Sequence, residues 1–163
     1  MEKKILVEII KNNELHADLV LTIQSIGLVV IADSYYYMLD SSLDDRIKMH
    51  KDLVMIKILN HWILNIQELK ENNTCFLPFD FSDEYIGCLR FELLNGDKVK
   101  GCYGITQKIL GMMINPSQLE CFDIDEIDFE KDSEVFLTSK SELISSIENS
   151  INQLKSNQYP HLM

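Results

Sequence analysis

The residues of this chain with the most evident chemistry are carboxylates. Between Glu120 and Glu134 (ECFDIDEIDFEKDSE) eight of fifteen residues are Asp or Glu and one is Lys. A calcium loop starting at Asp123 would have Asp125 at its third position and Glu134 at its twelfth. Its fifth and sixth positions would be Ile127 and Asp128, where a ligand and a turn-making glycine are required, so the spacing does not fit. A two-carboxylate hydrolase needs an apolar pocket that raises the pKa of one partner. So many neighbouring acids do not separate into an acid and a base. The third chemistry is recognition. Phe122, Ile124, Ile127 and Phe129 interleave with the acids, so the segment can hold an apolar side on the protein. Asp123, Asp125, Glu126, Asp128, Glu130 and Asp132 would then face the Lys and Arg of a partner. A solvated connecting loop is the plainer reading and stays open beside it.

Other reactive groups are few. There is no G-x-S-x-G elbow and no glycine-rich phosphate loop. Gly101-Cys102-Tyr103-Gly104 matches G-x-x-G but lies in a strand pattern without positive charge, unlike a nucleic-acid clamp. Cys75, Cys88, Cys102 and Cys121 form no C-x-x-C pair, which argues against a metal or redox motif. His50 and His61 share a helical azimuth but lie about 16 Å apart along the axis, too far to share a metal. No catalytic, cofactor or metal-ligating residue is therefore assigned, and the expectation is a protein that is not an enzyme. A small-molecule enzyme would need a deep pocket converging on His61, Tyr37 and a cysteine.

The formal net charge is −11, and Arg46 and Arg90 are the only arginines. Such a chain lacks the clustered cations that nucleic acid or an anionic membrane requires. It suits a basic protein partner, because opposite fields steer encounter. Met1–Lys11 is too short and too interrupted by charge for a secretory signal, so the cysteines are read as buried thiols in the cytoplasm.

The elements that position these groups are legible to different degrees. Tyr85–Thr106 holds two alternating runs around Asn95-Gly96, the strongest short-range hairpin signal. Counting from that turn sets Cys88 opposite Tyr103 and turns Cys102 to the other face, unless a bulge shifts the register. Upstream, residues 1–72 read as helical. Lys3–Lys11 is a short amphipathic piece. Leu15–Leu39 is a buried helix interrupted by Asp18, Gln24 and Asp33, with a strand reading open for Gly27–Ile31. Tyr35, Tyr36 and Tyr37 point about 100° apart on a helix, so at least one is exposed. Tyr36 and Tyr37 are candidate interface residues, although the rings can equally roof the core. Ser42–Lys70 reads as the best helix, opened by Ser42-x-x-Asp45 and lined by Val54, Ile58, Trp62, Ile66 and Leu69. CFLPFDF reads as a strand or an extended lead-in, which Pro78 demotes to an edge position or ends. Glu134–Thr138 reads as a strand, and Ser139-x-x-Glu142 opens a final helix with Leu143, Ile147, Ile151 and Leu154 inward.

The expected fold is α+β, one domain over 1–163. An N-terminal helical layer (1–72) packs on a small antiparallel sheet (73–138) centred on the hairpin, with a C-terminal helix (139–156) on the same face. In size, charge and layout, with EYIGCLRFELLNGDKVKGCYGIT followed by ECFDIDEIDFE, the chain resembles the bacterial immunity proteins of contact-dependent inhibition and polymorphic toxin systems. That resemblance implies a cytosolic protein without catalytic activity that binds and neutralises a cognate toxin domain. The toxin is often a nuclease with a basic surface, held through acids such as Asp123, Asp125, Glu126 and Asp128. An acidic secretion chaperone is the alternative, and it would be a dimer with interleaved helices and strands.

Overall fold

The computed structural model describes residues 5–10, 17–38, 50–108 and 126–158. The N-terminal part is a small sheet and not a helical layer. β1 (Ile5–Ile9) pairs antiparallel with β2 (Leu19–Ile23), and β2 with β3 (Leu28–Ala32). The helices expected at Lys3–Lys11 and across Leu15–Leu39 are thus corrected, while the strand reading of Gly27–Ile31 lies within one residue of β3. Their apolar runs are continuous because the outward positions Val20, Val29 and Ile31 also carry apolar side chains. Leu19, Leu21 and Ile23 are buried in the core, and Val20 and Thr22 on the other face of β2 are half-buried. Burial thus alternates along β2, but its outward positions are uncharged and the sequence shows little of that alternation. The chain reverses at a single 3₁₀ turn, Gln24–Ile26, closed by Gly27 at φ +64°. That left-handed conformation suits glycine.

One helical turn, α1 (Tyr35–Met38), follows, and then α2 (Lys51–Glu68). Val54, Met55, Ile58, Leu59, Trp62 and Ile66 of α2 are buried, with Leu69 just beyond it, so the expected stripe faces inward. Ser42, Asp45 and Ile47 lie outside the described residues. Asp18 fastens this region together. Its carboxylate accepts from the Ser34 N–H (3.2 Å), the Ser34 hydroxyl (3.0 Å) and the Lys51 ammonium (2.5 Å). Burial works to raise this carboxyl, but the bonds from Lys51 and Ser34 outweigh it and hold the pKa below the usual carboxylate value.

The second sheet comprises β4 (Thr74–Phe81), β5 (Ile86–Asn95), β6 (Lys98–Thr106), β7 (Phe129–Lys131) and β8 (Phe136–Ser139). All pairings are antiparallel in the order β4-β5-β6, and β6 takes both β7 and β8 on its far edge. The hairpin is where the sequence puts it, but its register is one residue different. Gly96 (φ +53°) and Asp97 make the turn, and an irregularity at Leu94 sets Cys88 opposite Gly104 and Cys102 opposite Arg90. Cys88 and Cys102 therefore share a face, and both are free thiols. α3 (Lys140–Gln158) closes the fold, with Leu143, Ile147, Ile151 and Leu154 buried as expected. Its capping box forms: the Glu142 N–H donates to the Ser139 hydroxyl (3.1 Å), and the Ser139 N–H donates to the Glu142 carboxylate (3.2 Å). Both sheets and both long helices contribute to one hydrophobic cluster.

Two sheet edges are covered. The Val7 N–H on the outer edge of β1 donates to the Ser150 hydroxyl of α3 (3.0 Å). On β4, the Pro78 carbonyl accepts from the Trp62 indole (3.2 Å) and the Phe79 carbonyl from the Tyr37 hydroxyl. Pro78 is on an edge strand, as its missing N–H requires.

Candidate partner-binding surface

The described part of the acidic segment is fastened to the outside of the larger sheet. Glu126 opens a 3₁₀ turn, Glu126–Asp128, and its two carboxylate oxygens accept from Arg90 Nε at 2.7 and 2.9 Å. The Arg90 bonds hold the Glu126 pKa below the usual carboxylate value. Asp128 pairs with Lys108 at 3.1 Å. Phe129 then enters β7 opposite Thr106 and packs on Phe76 with ring centroids 5.3 Å apart. Gly104 permits this approach, because a Cβ there would lie 2.3 Å from the Glu130 carbonyl and 2.5 Å from the Phe129 ring.

Beyond these anchors the carboxylates point to solvent. Glu130 and Asp132 are exposed, with Glu130 opposite Ile105 in the ladder. The Asp132 N–H donates to the Tyr103 carbonyl at 3.0 Å, which fixes where its side chain starts. Ser133 adds a second tie, accepting from the Tyr103 N–H at 2.8 Å. Glu126 and Asp128 thus have cationic partners within the fold, whereas Glu130 and Asp132 project outward. Asp123 and Asp125 lie outside the described residues.

The three tyrosines divide as the 100° rule demands. Tyr35 is 49% exposed, Tyr36 is half-buried against the core, and Tyr37 is 2% exposed. The Tyr37 ring meets Phe81 edge-on (centroids 4.9 Å apart), and its hydroxyl donates to the Phe79 carbonyl. Tyr37 is therefore a core residue and has no surface to offer a partner. Burial pushes its hydroxyl pKa well up. Burial likewise holds the thiols in their protonated form, with Cys75 pushed up to about 12 and Cys88 and Cys102 also raised. His61 bonds Asn65 at 2.8 Å, one helical turn away.

Asp132 also stands at the mouth of a cleft of about 430 Å³ between the two sheets. The cleft's wall includes Asp80, Tyr85 and Tyr103, which sequence reasoning did not single out. The available signal was one acid in the otherwise apolar run CFLPFDF. Among the described residues, no helix is long and apolar enough to cross a membrane, and no three His, Cys, Asp or Glu group as a metal site.

Fold and site together define a two-sheet α+β protein with an acidic strip anchored along one sheet edge. No family model matches the chain, and no curated protein does. Among solved structures it is similar to a chain of the CdiA-CT/CdiI toxin and immunity complex from Enterobacter cloacae. The TM-score is 0.48 at 12% identity, and the match covers 93% of this chain and 97% of that one.

Proposed function

We propose that this chain is a binding protein without catalytic activity that neutralises a cognate toxin domain, as an immunity protein does, by holding a basic face of the toxin. One observation carries the reading. The acidic strip is pinned by Arg90–Glu126, Lys108–Asp128 and the Phe129–Phe76 contact, while Glu130 and Asp132 face outward. A slack solvated loop needs no such anchoring, whereas a docking surface does, since fixed carboxylates lose less side-chain and loop entropy on binding. Asp123 and Asp125 extend the strip in sequence, and Tyr36 supplies an amphipathic ring elsewhere on the surface. The basic partner surface is that of a nuclease-type toxin, whose own ligand is polyanionic.

The test uses a toxin domain against which this chain protects cells when the two are co-expressed. Glu130→Lys with Asp132→Lys, and separately Asp123→Lys with Asp125→Lys, should weaken its binding at least tenfold at low salt and abolish growth protection on co-expression. Circular dichroism of the variants should stay unchanged. Unchanged affinity in both pairs sinks the acidic-strip reading.

A further inference from the structure

The three described strands that end a sheet next to the cleft or the helices are not treated alike. β1 is covered by α3 through Ser150, and β4 by Trp62 and Tyr37. β3 ends its sheet with no strand paired to its outer side among the described residues. Antiparallel ladders alternate, so the outward groups of β3 can be identified. The Val7 N–H points away from β2, and the Ile10 N–H bonds the Asp18 carbonyl at 2.8 Å. Val20 and Thr22 therefore bond β1, and Leu21 bonds Val30. The N–H and C=O of Val29 and Ile31 consequently point away from β2. The two residues are each 56% exposed. Natural edge strands are blunted by Lys, Pro, a bulge or a cover, and LVVIA has none of the first two.

This edge lines the cleft, and the facing wall is acidic. Asp80 follows an irregularity in β4 between Pro78 and Asp80, the kind of bulge that re-aims a side chain. It is 9% exposed and, among the described residues, takes one hydrogen bond, from the Tyr85 hydroxyl at 3.1 Å. Gly87, its partner across the ladder, leaves room for the Tyr103 ring: a Cβ there would lie 1.9 Å from the Tyr103 hydroxyl. Asp132 stands at the mouth, continuous with the acidic strip.

We infer that the cleft takes an extended, basic segment of a partner protein, which adds a strand to the free edge of β3 and directs Lys or Arg side chains to Asp80 and Asp132. Main-chain pairing with Val29 and Ile31 supplies the hold, and alternate side chains supply selectivity for cations. The inference rests on the reading of this chain as a binder of a basic protein and names the part of the partner that enters.

The probe is a fluorescein-labelled peptide of alternating Lys and Val, six residues long, followed by anisotropy at low salt. Wild-type protein should bind it, and Asp80→Asn with Asp132→Asn should bind at least tenfold more weakly. The same peptide with every backbone amide N-methylated, equal in charge and unable to donate to β3, should also bind at least tenfold more weakly. Ile31→Pro, which removes an outward N–H, should reproduce that loss with the wild-type circular dichroism spectrum. Equal affinity for the two peptides overturns strand addition, as does a dimer of the wild-type chain that Ile31→Lys converts to monomer. A toxin that loses binding to the Glu130/Asp132 and Asp123/Asp125 reversals but not to Asp80→Asn overturns the inference and leaves the function standing. Peptide binding without any toxin binding does the reverse.

Discussion

Asp80 is the residue whose chemistry is most at odds with its surroundings. Burial raises its carboxyl above the usual pKa, the Tyr85 hydroxyl partly opposes this, and the charge of Asp33 adds to it. The sign of the effect on stability follows. A carboxyl whose folded pKa exceeds its unfolded value costs nothing while both states are protonated. The cost grows as pH rises from the unfolded pKa, about 4, through the folded one. Asp80→Asn keeps an acceptor for Tyr85 and removes the charge. It should raise the melting temperature at pH 7 by about 2–4 °C per kcal/mol recovered, and the two proteins should converge below about pH 4. Thermal scans across that range check it, and a lower melting temperature at pH 7 would show instead that the charge is favourable there. Residues that cost stability while lining a cleft are those a binding role retains.

At the scale of elements, the hairpin turn and the C-terminal helix hold each other. The Asp97 carboxylate accepts from the Ser141 N–H (3.2 Å) and hydroxyl (2.6 Å), and the Asp97 carbonyl accepts from the Lys140 N–H (2.8 Å). The Lys140 ammonium reaches the carbonyls of Gln67 (2.7 Å) and Leu69 (3.1 Å), satisfying the end of α2. One turn therefore caps α3, whose first residue caps α2. Asp97→Ala should cost about 1 kcal/mol, the usual value of a lost N-cap. Urea denaturation should show the midpoint falling with an unchanged slope, because the surface exposed on unfolding is the same. The capping box and the inward stripe of α3 were legible in sequence because that helix buries only one face. Asp97 as a cap was not, because its partner lies 44 residues away.

For the whole molecule, charge and architecture act on different quantities. The net charge of −11 sets a long-range field, whereas the core of both sheets and both long helices is apolar. Raising the salt from 0.05 to 0.5 M shortens the screening length from about 14 to about 4 Å. Under the proposed function, binding of the toxin domain should weaken at least tenfold over that range, mostly through slower association. The melting temperature of the free chain should fall by no more than a few degrees. A salt-independent affinity would mean that apolar contacts, such as those along β3, carry the complex.

The sequence by itself determined the elements that have one wet face: α2 from its stripe, α3 from its stripe and cap, and the hairpin from Asn95-Gly96. It also located the acidic strip. Only the tertiary structure decided that β1, β2 and β3 form a sheet, since the outward positions Val20, Val29 and Ile31 are as apolar as the buried ones and leave no period to read. It alone decided the hairpin register, because one irregular residue at Leu94 shifts every pair that follows. The same holds for the edges. Whether a strand is covered depends on what packs beside it, and that is how Ser150 and Trp62 came to close two edges while β3 faces Asp80 across an acidic cleft.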